Sequence, residues 1–223
     1  RTKTSRSIPT GVKFMRTVVA TIVLFVACCV LSSCNIVAGV SYAVTPDPSQ
    51  DAAYILPDRR TVVFVDDRRN VMHPTRLRRV IAERVTRDLL SQEILTTVVS
   101  PRDVMRVSAA NDRHNDPLSV AELGRAVDAS VVIYIEMGAF GLTSDGQTAN
   151  PRASCTVRVI DVEQRSRLFP TDEAAHSIFT TLERIDPHRI ESGGEIRKLA
   201  EELAEKLGDS VAKVFYTHNT GRL

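Results

Sequence analysis

Ser119-Val120-Ala121-Glu122-Leu123-Gly124-Arg125-Ala126-Val127-Asp128-Ala129 runs into Val131-Val132-Ile133-Tyr134-Ile135-Glu136-Met137, and the change of period between the two decides the fold. In the first half, Val120, Leu123 and Val127 recur at threes and fours behind a serine cap, which predicts a helix. In the second half, an unbroken β-branched and aromatic run predicts a central strand buried on both faces. A helix leading straight into a buried strand places helices against a sheet.

Upstream, Thr61-Val62-Val63-Phe64-Val65 predicts another buried strand, closed by Asp66 and Asp67. Leu77, Val80, Ile81, Val85, Leu89 and Leu90 form the apolar stripe of a helix, with Arg76, Arg79, Glu83 and Arg87 on its wet face. Ile94 to Val99 predicts a second strand. Ser100-Pro101 opens a short helix expected to end near Val107, before a polar loop from Asn111 to Asp116. Downstream, strands are expected from Cys155 to Val162, over Arg167-Leu168-Phe169 and from Ala175 to Leu182, in a hairpin-like succession that implies antiparallel pairing. Ser192-Gly193-Gly194-Glu195 is a capping box for a last helix carrying Ile196, Leu199, Leu203, Leu207, Val211 and Val214. Gly208 weakens that helix by about 1 kcal/mol against alanine, and Glu202 and Lys206 form an i,i+4 pair on its wet face. The expected fold class is α+β: a mixed sheet of about five or six strands with helices packed on it.

The amino-terminal end has a different character. Lys13 and Arg16 precede an uncharged apolar run from Val18 to Val30, which closes with Leu31-Ser32-Ser33-Cys34. A basic start, an apolar middle and small residues before a cysteine make an export signal. The last four residues resemble the lipobox of bacterial lipoproteins, which implies diacylglyceryl transfer to the Cys34 thiol and cleavage between Ser33 and Cys34. Two other readings are an uncleaved anchor, for which the run is shorter than the roughly 20 apolar residues a span requires, and an ordinary thiol after an ordinary signal. Met15 would start a signal of the usual length, so residues 1–14 are set aside from fold reasoning.

Cleavage changes the charge balance. Residues 1–33 hold five basic residues and no acid, so 29 basic and 27 acidic residues become 24 and 27, and the delivered chain is net −3 rather than +2. The basic excess that would suggest nucleic acid leaves with the signal. One thiol besides the lipidated one remains, Cys155, on an apolar alternation with Val157 and Val159; it is read as a core thiol and rules out an internal disulfide framework. Residues 34–58 carry Pro46, Pro48 and Pro57 among polar residues and read as a lipid-anchored tether with ends on the order of 25 Å apart. Residues 59–219 form the single domain and 220–223 a tail.

Leu123-Gly124-Arg125-Ala126-Val127-Asp128-Ala129-Ser130-Val131-Val132-Ile133 resembles a helix-to-strand passage of three groups: the amino-terminal domain of the TolB translocation protein, the lipoprotein activators of penicillin-binding proteins, and the curli-secretion lipoproteins. Val159-Ile160-Asp161-Val162-Glu163 resembles their strand ending in aspartate. The carboxy-terminal half is also similar to lipoprotein auxiliary subunits of lipid-transporting ABC systems. These resemblances imply a non-enzymatic envelope accessory protein, facing the periplasm and held to a membrane through Cys34, whose partner is an envelope protein complex. Asn35 stands where aspartate would imply inner-membrane retention in lipoproteins that follow that rule, so the outer membrane is favoured.

The chain lacks a Gly-x-Ser-x-Gly elbow, a phosphate loop, a dinucleotide-binding glycine pattern and a His-Glu-x-x-His helix, and no cofactor or catalytic residue is expected. Asp66 and Asp67, at a strand's carboxyl end, could hold a hard cation, and Asp112, His114 and Asp116 have alternate spacing. Solvated acids in turns are the preferred reading of both sets, so no metal is expected. Over residues 58–88 nine arginines oppose five acids, and Arg76, Arg79 and Arg87 are the candidates for a face that meets an anionic partner or lipid headgroups. The competing functional class is a periplasm-side hydrolase or ligand-binding protein using Asp66, Asp67 and His114.

Overall fold

The structure is a computed structural model that describes residues 49–112, 117–183, 185, 186, 188 and 190–220. In chain order its elements are β1 (Ser49–Gln50), β2 (Thr61–Asp66), α1 (Leu77–Ser91), β3 (Val98–Val99), α2 (Pro101–Asp112), α3 (Val120–Ala126), β4 (Val131–Thr143), β5 (Ala149–Asp161), β6 (Ser166–Phe169), β7 (His176–Thr181), α4 (Gly193–Ala212), a 3-10 turn (Lys213–Phe215) and β8 (His218–Asn219). β2 lies between β3 and β4, parallel to both, and β4 and β5 form a long antiparallel hairpin. The far edge of β5 is shared: β6 pairs with its end and β7 with its start, completing a six-stranded mixed sheet of order β3-β2-β4-β5-β6. The α+β class is that expected from the order of elements.

The apolar runs are continuous because β2 and the first half of β4 are covered twice. Val63, Val65, Ile133 and Ile135 face a large cluster with Leu77, Ile81, Val85, Leu203, Leu207 and Val211 of α1 and α4. Val62, Phe64, Val132 and Tyr134 point the other way, into a smaller cluster with Val104 of α2 and Leu123 of α3. Successive strand residues thus bury opposite faces, as the pleat requires.

The decisive stretch folds as its periods dictate. Ser119 caps α3, its hydroxyl accepting from Glu122 N while the Glu122 side chain bonds back to Ser119 N, a complete capping box. Asp128 then takes a left-handed φ of 56° and Ala129 N donates to Gly124 O, which ends the helix and aims the chain into β4. At Gly124 a Cβ would lie 2.5 Å from Val162 Cγ2 and 2.7 Å from Val132 Cγ2, so the glycine is what lets α3 press on the sheet.

Four expectations are revised. The strand expected over Ile94–Val99 is only Val98–Val99, because Ile94 N and Leu95 N bond back to Leu89 O and close α1 instead. The helix expected to stop near Val107 continues to Asp112, bonded internally by Asn111 Nδ2 to Val107 O. The strands of the central hairpin extend to Thr143 and from Ala149, past register shifts near Gly138 and Thr143. The folded unit begins at Ser49 rather than 59, since Ala53 N donates to Val214 O, Tyr54 stacks on Phe169 at 5.1 Å and Leu56 is buried. The rest of the expected tether and residues 1–33, with Leu31, Ser32, Ser33 and Cys34, lie outside the described residues. No helix among the described residues is long and apolar enough to cross a membrane.

Candidate functional site

Asp66 and Asp67 close β2 side by side but serve different neighbours. Asp66 Oδ2 accepts from the Tyr134 hydroxyl at 2.7 Å and from Arg68 Nε at 2.8 Å. Burial first, and the bond to Asp66 second, push the Tyr134 phenol well above its usual range, so it remains a donor at neutral pH. The Arg158 guanidinium lies 5.1 Å over the Tyr134 ring and pairs with Glu136, making a chain of polar contacts across β2, β4 and β5. The Asp67 carboxylate accepts from Val71 N and Met72 N, each at 2.9 Å, and shapes the loop into α1. Both acids are thus held by bonds within the chain.

A cleft of about 690 Å³ opens beside this strand end, lined by Phe64, Asp66, Asp67, Arg78, Ser119 and Leu123 among others. It is the place a ligand would take in an open sheet. Its Asp66, Asp67 and Glu122 carboxylates already accept from Tyr134, from backbone amides and from Ser119. Asp112, at the end of α2, accepts from the Ser108 hydroxyl, while His114 and Asp116 lie outside the described residues. Among the described residues no three His, Cys, Asp or Glu side chains are grouped to hold a metal. Cys155 is buried in the larger cluster, and burial pushes its thiol up to about 12, so it is no thiolate at neutral pH.

Arg76, Arg79 and Arg87 are brought to one side of α1, where their neighbours are carboxylates of the chain itself. Arg76 pairs with Glu201 of α4, Arg79 with Glu83 at 3.8 Å, and Arg87 with Glu205 of α4 at 3.6 Å. Between them Arg84 reaches Asp88, Glu205 and Asp209. The arginine-rich helix therefore lies along the acid-rich face of α4. Each partly exposed pair contributes about 0–1 kcal/mol, so the row sets the alignment of two helices more than it stabilises them. What the sequence alone did not reveal is that the two charge patterns are each other's partners.

A region with little internal cover among the described residues lies elsewhere. Past Tyr134 and Arg158, the sheet face opposite α1 and α4 carries no helix among the described residues, and cross-strand register sets Thr156 beside Ser177, Ser154 beside Phe179 and Arg152 beside Thr181. Phe179 is 80 % exposed there, while its neighbours Ile178 and Thr180 are buried against the other face. The alternation of Ser177, Phe179 and Thr181 is visible in the sequence. That the face they share is open is not, because it depends on where α2 and α3 stop.

The geometry thus defines a six-stranded α+β sandwich with one half of one face uncovered among the described residues. No protein-family model and no curated protein matches the chain. Solved structures similar to it include the PelC dodecamer from Paraburkholderia phytofirmans, at 12% identity and a TM-score of 0.43 over 76% of this chain and 96% of that one. Lipoprotein GNA1162 from Neisseria meningitidis is similar at 13% identity and 0.38, over 68% and 99% of the two chains. The LpoB C-terminal domain from Escherichia coli follows at 15% and 0.33, over 56% and 82%. Likeness at this level says nothing about what the chain does.

Proposed function

We propose that the protein is a lipid-anchored, non-enzymatic accessory protein of the cell envelope, whose α+β domain docks onto a larger secretion, transport or wall-building complex. The observation that carries this reading is Leu31-Ser32-Ser33-Cys34 behind a basic and then apolar segment, which specifies export and acylation. Acylation in turn gives the domain a membrane surface to work at: at ~0.8 kcal/mol per buried methylene, more than one acyl chain holds stably. The non-enzymatic part is supported by the strand-end acids, whose oxygens are engaged by Tyr134, Arg68 and backbone amides. The periplasm-facing, outer-membrane placement rests on Asn35 after the cysteine.

The alternative, a ligand-binding protein or hydrolase, has the 690 Å³ cleft beside Asp66 in its favour. Crosslinking in cells followed by mass spectrometry separates the two. Recovery of the same envelope-complex subunits in repeated experiments is the expected result. Recovery of no subunit, together with a small molecule released from the purified domain, would favour the alternative.

A further inference from the structure

We infer that the open half of the sheet, the outward side of β7 and the start of β5 with Phe179 at its centre, is the surface through which this domain docks an acidic protein partner. The inference rests on the docking reading above and adds the face, the anchor residue and the charge of the partner.

Phe179 pairs in register with Ser154, Ser177 and Thr181 flank it along β7, and Thr156 and Arg152 lie diagonally on β5, so apart from Arg152 its neighbours on this face are short and the ring stands above a low polar floor. An aromatic side chain that is 80 % exposed on a regular strand loses apolar burial that its two buried neighbours, Ile178 and Thr180, obtain on the other side of the same strand. A protruding aromatic surrounded by hydroxyl groups is the anatomy of an interface centre, where one ring fills a pocket and the surrounding polar groups form the rim.

Charge selects the occupant. Arg152 stands beside Thr181 on this face, exposed, and no carboxylate of the described residues reaches it. Arg69, at the far end of the face beside Glu136 and Thr156, is also exposed and without an acid partner among the described residues. The Glu136 carboxylate is already paired with Arg158. Two uncommitted arginines therefore flank the ring on a delivered chain that is net acidic. Their planar donors suit carboxylates. A second copy applied face to face would set arginine against arginine. An anionic bilayer calls for clusters of roughly four to eight basic residues, more than this face offers. An acidic protein surface with an apolar pocket satisfies both the ring and the arginines.

The test uses the full-length, membrane-attached chain. A photoreactive benzoyl-phenylalanine replaces Thr181 on the face, or Lys198 on α4 as a control, and cells are irradiated before the captured species is identified by mass spectrometry. That protein is then purified, and its affinity for the unaltered chain, for Phe179→Ala and for Arg152→Glu is measured at two salt concentrations. The expected result is capture of one acidic envelope protein from position 181 and not from 198. Phe179→Ala then weakens binding on the order of tenfold with no change in Tm, and Arg152→Glu weakens it more at low salt than at high. Capture of a second copy or of lipid alone from position 181, or unchanged affinity in both variants, overturns the inference. Capture of an envelope protein from 198 but not 181 overturns the face and leaves the docking reading standing, whereas capture from neither position removes the docking reading itself.

Discussion

Gly208→Val lowers stability by about 3 kcal/mol, and Gly208→Ala by about 1, although both residues are better helix formers than glycine. A Cβ at position 208 would lie 2.7 Å from Arg84 Cβ, 2.8 Å from Arg84 Cγ and 3.0 Å from the Ile81 carbonyl oxygen. The carbonyl belongs to the backbone of α1, so relief requires the two helices to separate. Separation loosens Leu203, Leu207 and Val211 against Ile81 and Val85, all of them fully buried, and misaligns Arg84 with Glu205 and Asp209. Thermal unfolding followed by circular dichroism should rank the three variants Gly, Ala, Val in falling Tm, with the valine variant lower by roughly 6–12 °C for a domain of this size. A rank order following helix propensity would show that α1 and α4 do not meet at this point.

Asp161→Ala has the second large effect, about 2–3 kcal/mol. The side chain of Asp161 is 2 % exposed; it accepts from Arg59 Nη1 at 2.7 Å and from Gln164 N at 2.8 Å. Arg59 also donates to Ser130 O at 3.3 Å, so one ion pair ties the chain entering β2, the chain entering β4 and the turn leaving β5. The value stays below that of a wholly buried pair because the Arg59 side chain is 36 % exposed. The Arg59 guanidinium, and then the Gln164 amide, hold the Asp161 carboxyl below the usual carboxylate range. A depressed folded-state pKa contributes stability that is fully present above the unfolded value of about 4 and is lost as pH falls through the folded value. Urea titrations from pH 7 downwards should therefore show the unaltered chain and Asp161→Ala converging only in that acid window. A difference that persists unchanged through it would assign the loss to packing alone.

Much of this fold was legible because its periods are clean. The central strand, the capping box at Ser119, the serine cap at Ser192 and the stripe of the last helix each rest on local chemistry that the neighbouring structure supports, although at Ser192 the bond seen is the forward one, from Glu195 N to Ser192 Oγ. The revised elements are those where a distant partner decides. Ile94 and Leu95 have strand-forming sequence, but the end of α1 takes their amides. Residues 49–58 look like linker, yet the carbonyl of Val214 and the ring of Phe169 hold them. Gly208 reads as a weakness in α4 until α1 is set against it. The candidate site was less legible still. Asp66 and Arg76 draw attention by type, and their partners, Tyr134 and Glu201, lie far away in sequence. Phe179 drew none, because exposure is a property of the assembled sheet.

Acylation of Cys34 is what would hold the domain at a membrane. The direct measurement is the mass of the mature protein's amino-terminal peptide from membranes, paired with detergent phase partition of the unaltered chain and of Cys34→Ser. The expected result is a peptide that begins at Cys34 and carries the added mass of acyl chains, with the unaltered protein in the detergent phase and Cys34→Ser shifted to the aqueous phase or left uncleaved. A peptide that begins at Cys34 or beyond without acyl mass, with both proteins in the aqueous phase, would contradict it.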